Sequence, residues 1–334
     1  MRRTAPARPP APAPRAAATA RAAALPAVLL ALLAAALLAT LAGCSSAPRK
    51  RTEVVERKER AAEYAASGNA RYARGDYRQA LTLFRLALNE NLAVDHQQGT
   101  AVSYNSLGKA HLALGELEQA ERYFREALRL ADKLDDPRLQ AQSSSNLGEL
   151  ELARGKASQA EELLRAGVAR LPAGEPGPEQ AILLHNLGAA LKLQERLPEA
   201  LGYFQQALAL NLRQERFEEA ASNHYMIASI QSKQGDTAAA LASLAEALRY
   251  DRLMERSLGI AKDLAALGLL YRKQGDEAAA LDAYRRSLQV YQSLSLAEEA
   301  RRLLPALIEL AERAGFAGEA QTYRWLAAEP EGRP

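Results

Sequence analysis

The sequence predicts an all-α fold, a solenoid of seven stacked helix pairs. The 334 residues are 48% hydrophobic but only 5% aromatic, and they are rich in the helix-favouring residues Ala, Leu, Glu, Arg and Gln. From residue 61 the sequence also recurs with a constant period of 40 residues, and such a period is the signature of a repeat architecture. The repeat therefore predicts the fold, and chain length does not indicate a number of globular domains.

Each repeat carries small and large residues at fixed positions. One column is alanine in all seven repeats: Ala80, Ala120, Ala160, Ala200, Ala240, Ala280 and Ala320. Glycine lies five positions earlier in six of them: Gly75, Gly115, Gly155, Gly235, Gly275 and Gly315. A second glycine column lies twelve positions before the alanine: Gly68, Gly108, Gly148, Gly188 and Gly268. A large residue follows the alanine by four positions: Phe84, Phe124, Leu164, Phe204, Leu244 and Tyr284. Small residues at these spacings let two antiparallel helices approach to roughly 8–10 Å, with the large side chain packed below.

These columns also predict the helix limits. The glycine after each first helix indicates a left-handed turn, and Asp76, Asp236 and Asp276 are expected to cap the second helices that follow. The predicted pairs are residues 55–74 with 77–92, 96–114 with 117–133, 137–154 with 157–171, 179–194 with 198–213, 217–234 with 237–253, 256–274 with 277–294, and 297–314 with 317–328.

Two further segments interrupt or end the pattern. The Pro- and Gly-rich residues 171–178 are interpreted as a loop after the third pair, with a flexion point as the alternative. Tyr323 and Trp325 are expected to seal the last pair, because a terminal repeat leaves an edge of the core bare.

The repeat resembles the tetratricopeptide repeat. The resemblance is carried by Ser-Tyr-Asn-Ser-Leu-Gly at residues 103–108, followed by Gly-Glu-Leu-Glu-Gln-Ala at residues 115–120. The 40-residue period differs from that family's usual 34 and is similar to the long-helix class of kinesin light chains and animal spindle-orientation scaffolds. The resemblance covers residues 61–328. It implies a right-handed α-solenoid that binds proteins or peptides and is not an enzyme.

Tetratricopeptide arrays bind ligands in a concave groove lined by the first helix of each pair, and the resemblance maps that groove onto ten residues. They are Asn105, Lys109, Gln142, Asn146, Glu149, His185, Asn186, Lys192, Tyr225 and Ser229. Amides both donate and accept, so the three asparagines are expected to face the groove and suit a peptide backbone, with simple water-facing positions as the alternative. Ala65 stands where the family's carboxylate-clamp members have lysine, so that specificity is not expected.

No catalytic residue, metal site, cofactor or small-molecule substrate is predicted. The four histidines fall in different repeat columns without metal-ligand spacing, and Cys44 is the only thiol. No Gly-rich phosphate loop, nucleophile elbow or HExxH helix is present. His185, which the repeat places near Tyr225 and Glu149, is interpreted as a groove or packing histidine rather than an acid–base group.

The N-terminal segment predicts export. The first 43 residues contain five arginines and no acidic residue, and residues 22–42 form an apolar run, which is typical of a secretory signal. The run ends in Leu-Ala-Gly-Cys at residues 41–44, which resembles the lipobox of bacterial lipoproteins. That resemblance implies a signal peptide over 1–43, a lipidated Cys44 and a polar tether to residue 54.

The resemblance also predicts a location. Ser45 after the cysteine implies sorting to the outer membrane, with the rest of the chain facing the periplasm. The alternative is an uncleaved inner-membrane anchor, because about 20 apolar residues can span a bilayer. Both interpretations place the repeats outside the cytoplasm.

Charge argues against nucleic acid as a partner. The net charge is +3, but without the five leader arginines the chain has 38 basic and 40 acidic residues. Binding to phosphates requires a basic face, which this balance does not indicate.

The sequence thus predicts a lipid-anchored scaffold, over residues 55–328 with a short tail at 329–334, that binds protein partners of the cell envelope. Assembly of a pilus or secretion complex, cell-wall synthesis and proteolysis are the processes considered. A self-assembling structural component that binds through its convex faces is the alternative, and an enzyme is the remaining one.

Overall fold

The computed structural model describes residues 52–174 and 176–328. The predicted signal peptide at 1–43, the lipidation site Cys44, most of the tether and the tail at 329–334 lie outside the described residues. A compact helical unit begins at Glu53. Among the described residues, no helix combines the length and apolar composition needed to cross a bilayer.

Fourteen α-helices make up this unit, and they form the seven antiparallel pairs that the period predicts. They are α1 (Glu53–Ala73) with α2 (Tyr77–Ala93), α3 (Gln97–Ala113) with α4 (Leu117–Leu134), α5 (Pro137–Ala153) with α6 (Ala157–Arg170), α7 (Pro178–Leu193) with α8 (Leu197–Arg213), α9 (Phe217–Lys233) with α10 (Thr237–Leu253), α11 (Ser257–Gln274) with α12 (Glu277–Ser293), and α13 (Ala297–Arg313) with α14 (Ala317–Ala328). Every predicted helix end lies within two residues of the observed one. The fold is an all-α solenoid.

A left-handed residue ends almost every helix, at intervals of twenty residues. The predicted glycines adopt it after the first helices, with φ from 75° to 86°, and Glu195 adopts it with φ 57° in the repeat that lacks glycine. A second series, which the glycine pattern did not predict, ends the second helices: Asp95, Asp135, Glu215, Glu255 and Ser295. The chain therefore turns by the same backbone device within a pair and between pairs.

The small-residue columns lie where the two helices of a pair meet. All seven alanines of the alanine column are 0% exposed. A Cβ added to Gly108 would lie 2.4 Å from the Phe124 ring, and one added to Gly148 would lie 2.6 Å from Leu164. The glycine thus leaves room for the large residue of the partner helix, as predicted, and such contacts recur from pair to pair.

The predicted caps are correct for two of the three aspartates. Asp236 accepts a hydrogen bond from the Ala239 backbone N–H at 3.0 Å, and Asp276 accepts one from Ala279 at 2.9 Å. Asp76 makes no cap, because its carboxylate turns to the Arg71 guanidinium at 3.4 Å instead. Asp136, which was not predicted, caps α5 through two backbone N–H groups.

The segment after the third pair is a loop, and α6 still packs against α7 beyond it. Two residues that follow α8 hold the loop by hydrogen bonds. The Gln214 amide donates to the Pro176 carbonyl at 2.8 Å, and Arg216 donates to the Pro178 carbonyl at 3.2 Å.

The prediction for the last pair is half correct. Tyr323 is 8% exposed and belongs to the terminal core. Trp325 is 60% exposed, so it does not seal that core. It lies two residues after Tyr323, and a spacing of two puts side chains on different faces of a helix.

Candidate functional site

The first helices form the inner row of the solenoid. Helix α1 contacts α3, α3 contacts α5, α5 contacts α7, and α9 contacts α11. Among the described residues, the second helices of successive pairs make no comparable contact. The first helices therefore lie closer together along the stack than the second helices do. The surface of the first helices that faces away from the second helices is the concave groove, and the second helices form the convex side.

Two of the predicted groove asparagines, Asn105 and Asn146, are buried instead of open. Asn146 is 7% exposed and donates to Asn105 Oδ1 at 2.9 Å, while Asn105 is 2% exposed and donates to Ser143 Oγ at 3.1 Å. Asn186 is half-buried and donates to Ser145 Oγ at 3.0 Å. The expectation that these amides face the groove therefore needs correction, because each of them makes a hydrogen bond that joins one repeat to the next.

Three predicted residues line a cavity of about 260 Å³ near the N-terminal end of the groove: Asn105, Lys109 and Gln142. The Lys109 ammonium lies 5.4 Å from the centre of the Tyr72 ring, within range of a cation–π contact. Glu149 is exposed along the same face, and the pKa of its carboxyl is raised because surrounding protein reduces its hydration, against the opposing charge of Lys109. A basic and an acidic group therefore lie near each other in this part of the groove.

A second cavity of about 270 Å³ lies between α9 and α11, and we call it the lysine cavity. Its polar lining comprises Tyr225, Ser229, Ser232, Lys233 and Lys273. The sequence prediction contained Tyr225 and Ser229 of this lining. It also contained Lys192, which lies beside the cavity and whose ammonium donates to the lining residue Ser229 at Oγ, at 2.8 Å.

The sequence prediction missed Ser232, Lys233 and Lys273 in the lysine cavity. The two lysines occupy the thirteenth position of their repeats, outside the family positions used for the prediction. A lysine at the end of the first helix in three successive repeats, Lys192, Lys233 and Lys273, was the signal available in the sequence.

His185 is a packing residue. Its ring meets the Phe204 ring edge-on at a centroid distance of 5.2 Å, and its Nδ1 pairs with the Asn223 amide at 2.9 Å. Burial lowers its pKa to about 4, so the imidazole is neutral near pH 7 and can accept that hydrogen bond. Its polar partner is Asn223, and no hydrogen bond links it to Tyr225 or Glu149 in the described chain.

The other three histidines also have structural partners. His111 stacks on Tyr123 at 5.3 Å, His224 stacks on Tyr250 at 5.9 Å, and His96 pairs with an asparagine side chain. Within residues 52–174 and 176–328, no group of three His, Cys, Asp or Glu side chains is placed to hold a metal ion. The described arrangement offers hydrogen bonds, charge and apolar surface along a groove.

Family models identify the repeat. Two models described as tetratricopeptide repeat match the chain, one over residues 60–133, 100–173 and 139–213, and the other over residues 225–295. The chain belongs to the tetratricopeptide repeat family. The three matches of the first model overlap and every match spans about two helix pairs, so this tetratricopeptide chain is a tandem array.

Solved structures share the tetratricopeptide fold. A Rap protein complexed with competence and sporulation factor is 17% identical, with 79% of this chain and 72% of that chain covered and a TM-score of 0.61. PilF of Pseudomonas aeruginosa is 21% identical over 68% of this chain and 90% of its own, with a TM-score of 0.52. BtubC from P. vanneervenii is 21% identical over 65% and 94%, with a TM-score of 0.55.

At these identities the likeness establishes the fold alone. No match was found among curated proteins. The tetratricopeptide array and its groove support a scaffold for protein–protein interaction.

Proposed function

We propose that this tetratricopeptide protein is a lipid-anchored scaffold of the bacterial cell envelope that binds a partner segment in its concave groove. The observation that carries the groove assignment is that the first helices line cavities of about 260 and 270 Å³, one in each half of the solenoid. Their linings combine hydroxyl, amide and ammonium groups with apolar floor, which suits an extended peptide better than a compact small molecule.

Two structural neighbours were solved with a bound partner, which in one case is a peptide. One Rap protein is complexed with competence and sporulation factor, and a second, the Rap conjugation gene regulator of the plasmid pLS20, is in complex with the Phr* peptide. This chain shares that fold over about four fifths of its length. Binding rather than catalysis is the proposed activity, because the groove is lined by groups that can hydrogen-bond a ligand and the histidines are used in packing.

The envelope location rests on the sequence. The basic leader, the apolar run and the Leu-Ala-Gly-Cys box support export and acylation at Cys44, and a thiol is the group that acylation requires. More than one acyl chain provides a stable membrane anchor, since each buried methylene contributes about 0.8 kcal/mol. We propose the outer membrane, facing the periplasm, from Ser45. A lipoprotein with this fold would hold its groove close to envelope complexes.

Affinity capture from detergent-solubilised membranes tests the groove. Lys109→Glu with Lys233→Glu reverses two exposed groove charges, and Arg122→Glu with Lys133→Glu makes the same change in charge on the convex helix α4. We expect mass spectrometry to show partners lost from the groove variant and retained by the α4 variant. Loss from the α4 variant alone would favour binding through convex faces, the self-assembling alternative.

A further inference from the structure

Three lysines extend along the inner row in the C-terminal half of the groove. Lys192 is on α7, Lys233 on α9 and Lys273 on α11, with separations of 41 and 40 residues, so successive repeats bring them to the same part of the groove. Lys262, at the start of α11, is also exposed. One carboxylate, Glu195, is ion-paired with these lysines in the described chain, whereas in the N-terminal half Lys109 lies near Glu149.

Among the residues that the structure describes, two of these ammonium groups form no ion pair. Lys192 donates to Ser229 Oγ at 2.8 Å and Lys273 donates to Ser232 Oγ at 3.1 Å. Neither lies within ion-pairing distance of a carboxylate in the part of the chain that the structure describes. Lys233 is paired with Glu195 at 2.9 Å, and Glu195 is 68% exposed at its side chain. The inward-facing charge is thus held by serine hydroxyls, which leaves it available to an anion.

Partial burial of the Lys192 ammonium costs free energy. The pKa of Lys192 is lowered, first by loss of hydration and then by the neighbouring charge of Lys233, against the opposing charge of Glu195. A bound carboxylate would offset both effects, because it supplies an opposite charge and accepts hydrogen bonds from the ammonium and from the serine hydroxyls.

The same cavity has an apolar side. Leu244, Leu270 and Leu269 line it, and Leu269 is 49% exposed although it faces the groove. Its volume of about 270 Å³ lies just below the range of about 300–1,000 Å³ that is typical for whole drug-sized ligands. It is therefore suited to a short part of a larger ligand, one apolar side chain with a charged group beside it.

We propose that the lysine cavity binds a carboxylate next to an apolar side chain in a peptide segment of the partner. This inference rests on the proposed function, that a partner segment enters the groove. The carboxylate meets Lys192 and Lys273, and the apolar side chain packs on Leu269. The carboxylate has two sources, an internal Asp or Glu side chain or the C-terminus of the partner chain.

The probes are three pools of short fluorescent peptides with randomised flanks. One pool has an internal Leu-Asp pair and an amidated end, one ends in Leu with a free carboxylate, and one has Leu-Asn and an amidated end. Fluorescence anisotropy with the full-length protein should show at least about ten-fold tighter binding for one carboxylate pool than for the neutral pool. The stronger of the two carboxylate pools identifies the source. Added salt should weaken that binding, because exposed charges are screened.

Lys192→Met with Lys273→Met removes both charges and keeps the apolar stems. We expect this variant to lose about ten-fold in affinity for the carboxylate pool and little for the neutral pool. Lys58→Met with Lys133→Met removes the same charge outside the cavity and should change neither. The single variant Lys273→Met, at an exposed position, repeats the test if the double variant is less stable.

Equal binding of all pools, binding of none, or equal loss in the Lys58 and Lys133 control would overturn the inference. Those results would not overturn the scaffold proposal if capture from membranes still depended on the groove charges. Loss of groove-dependent capture overturns the scaffold proposal itself, whatever the peptide pools show.

Discussion

Asn146 Nδ2 donates a hydrogen bond to Asn105 Oδ1 at 2.9 Å across the boundary between the second and third helix pairs, and both side chains are buried. Asn105 Nδ2 in turn donates a hydrogen bond to Ser143 Oγ at 3.1 Å. An amide that appears in the sequence as a ligand for peptide backbone therefore joins neighbouring repeats.

This bond predicts a loss of stability in Asn146→Ala. The substitution leaves Asn105 Oδ1 without its donor in a buried position, which costs about 1–3 kcal/mol. Chemical denaturation followed by circular dichroism should show that decrease in the free energy of unfolding. Asn69→Ala, at an exposed position in the N-terminal cavity, is the control and should change it by less than about 0.5 kcal/mol. Equal stability of both variants would contradict the inter-repeat role of Asn146.

The glycine column predicts opposite effects of one substitution at two places. Gly108→Ala puts a Cβ 2.4 Å from the Phe124 ring, so overpacking should destabilise the fold by about 1–3 kcal/mol. Gly202→Ala lies inside α8 with nothing within 4 Å of the new Cβ, so it should stabilise by about 0.5–1 kcal/mol. Melting temperatures that move in the same direction would contradict the close approach at Gly108.

A buried pair of aspartates predicts weaker folding at alkaline pH. Asp251 and Asp263 are 4% and 2% exposed, in the two columns where the preceding repeat places Asn211 and Asn223, which share a hydrogen bond of 2.8 Å. Arg256 donates to Asp251 at 3.1 Å, whereas Asp263 Oδ2 has no hydrogen-bond partner.

Burial, reinforced by the charge of Asp251, raises the pKa of Asp263 to about 8, against the positive charges of Arg256 and Lys262. Tyr225 and Tyr291 are the other titratable groups that interact with it. The folded state therefore holds a proton that the unfolded state releases near pH 4, so this contribution is complete below about pH 4 and lost as the pH rises through about 8.

We expect Asp263→Asn to stabilise the protein by roughly 1–3 kcal/mol near pH 9 and by less near pH 5. Unfolding measured at both values tests this, with Asp132→Asn at an exposed position as control. A gain that did not grow with pH would contradict the proton on Asp263.

The lipoprotein proposal predicts a processing defect. Cys44→Ala removes the only thiol in the chain, so acylation and the cleavage that follows it should stop and an uncut precursor should accumulate. Immunoblotting of membrane fractions, with Ser46→Ala as the control, distinguishes the two forms. Normal processing and membrane retention of Cys44→Ala protein would contradict lipidation at this residue.

The fold was predictable because the columns that specify it contain distinctive residues. The columns that contain Ala160 and Gly115 recur every 40 residues. A small side chain in the first column indicates close helix packing, and glycine in the second indicates a left-handed turn. The turns at Asp95 and Glu215 were not predictable in this way, since residues other than glycine adopt the left-handed conformation only rarely and give a much weaker composition signal.

The groove was predicted less well because an exposed and a buried polar side chain look alike in sequence. Asn146 faces the neighbouring repeat, and its burial depends on how closely α3 and α5 approach, which the period does not give. Lys273 was missed because the positions taken from the family resemblance end one residue earlier in the repeat.

Site-directed photo-crosslinking in intact cells tests the concave groove most directly. A photoreactive side chain is placed at Gln142 or Leu269, which are exposed on the inner row, or at Gln79 or Gln205, which are exposed on second helices. We predict that irradiation yields the same partner adduct from both inner positions and none from the outer ones. Adducts formed only at Gln79 and Gln205 would contradict binding through the groove.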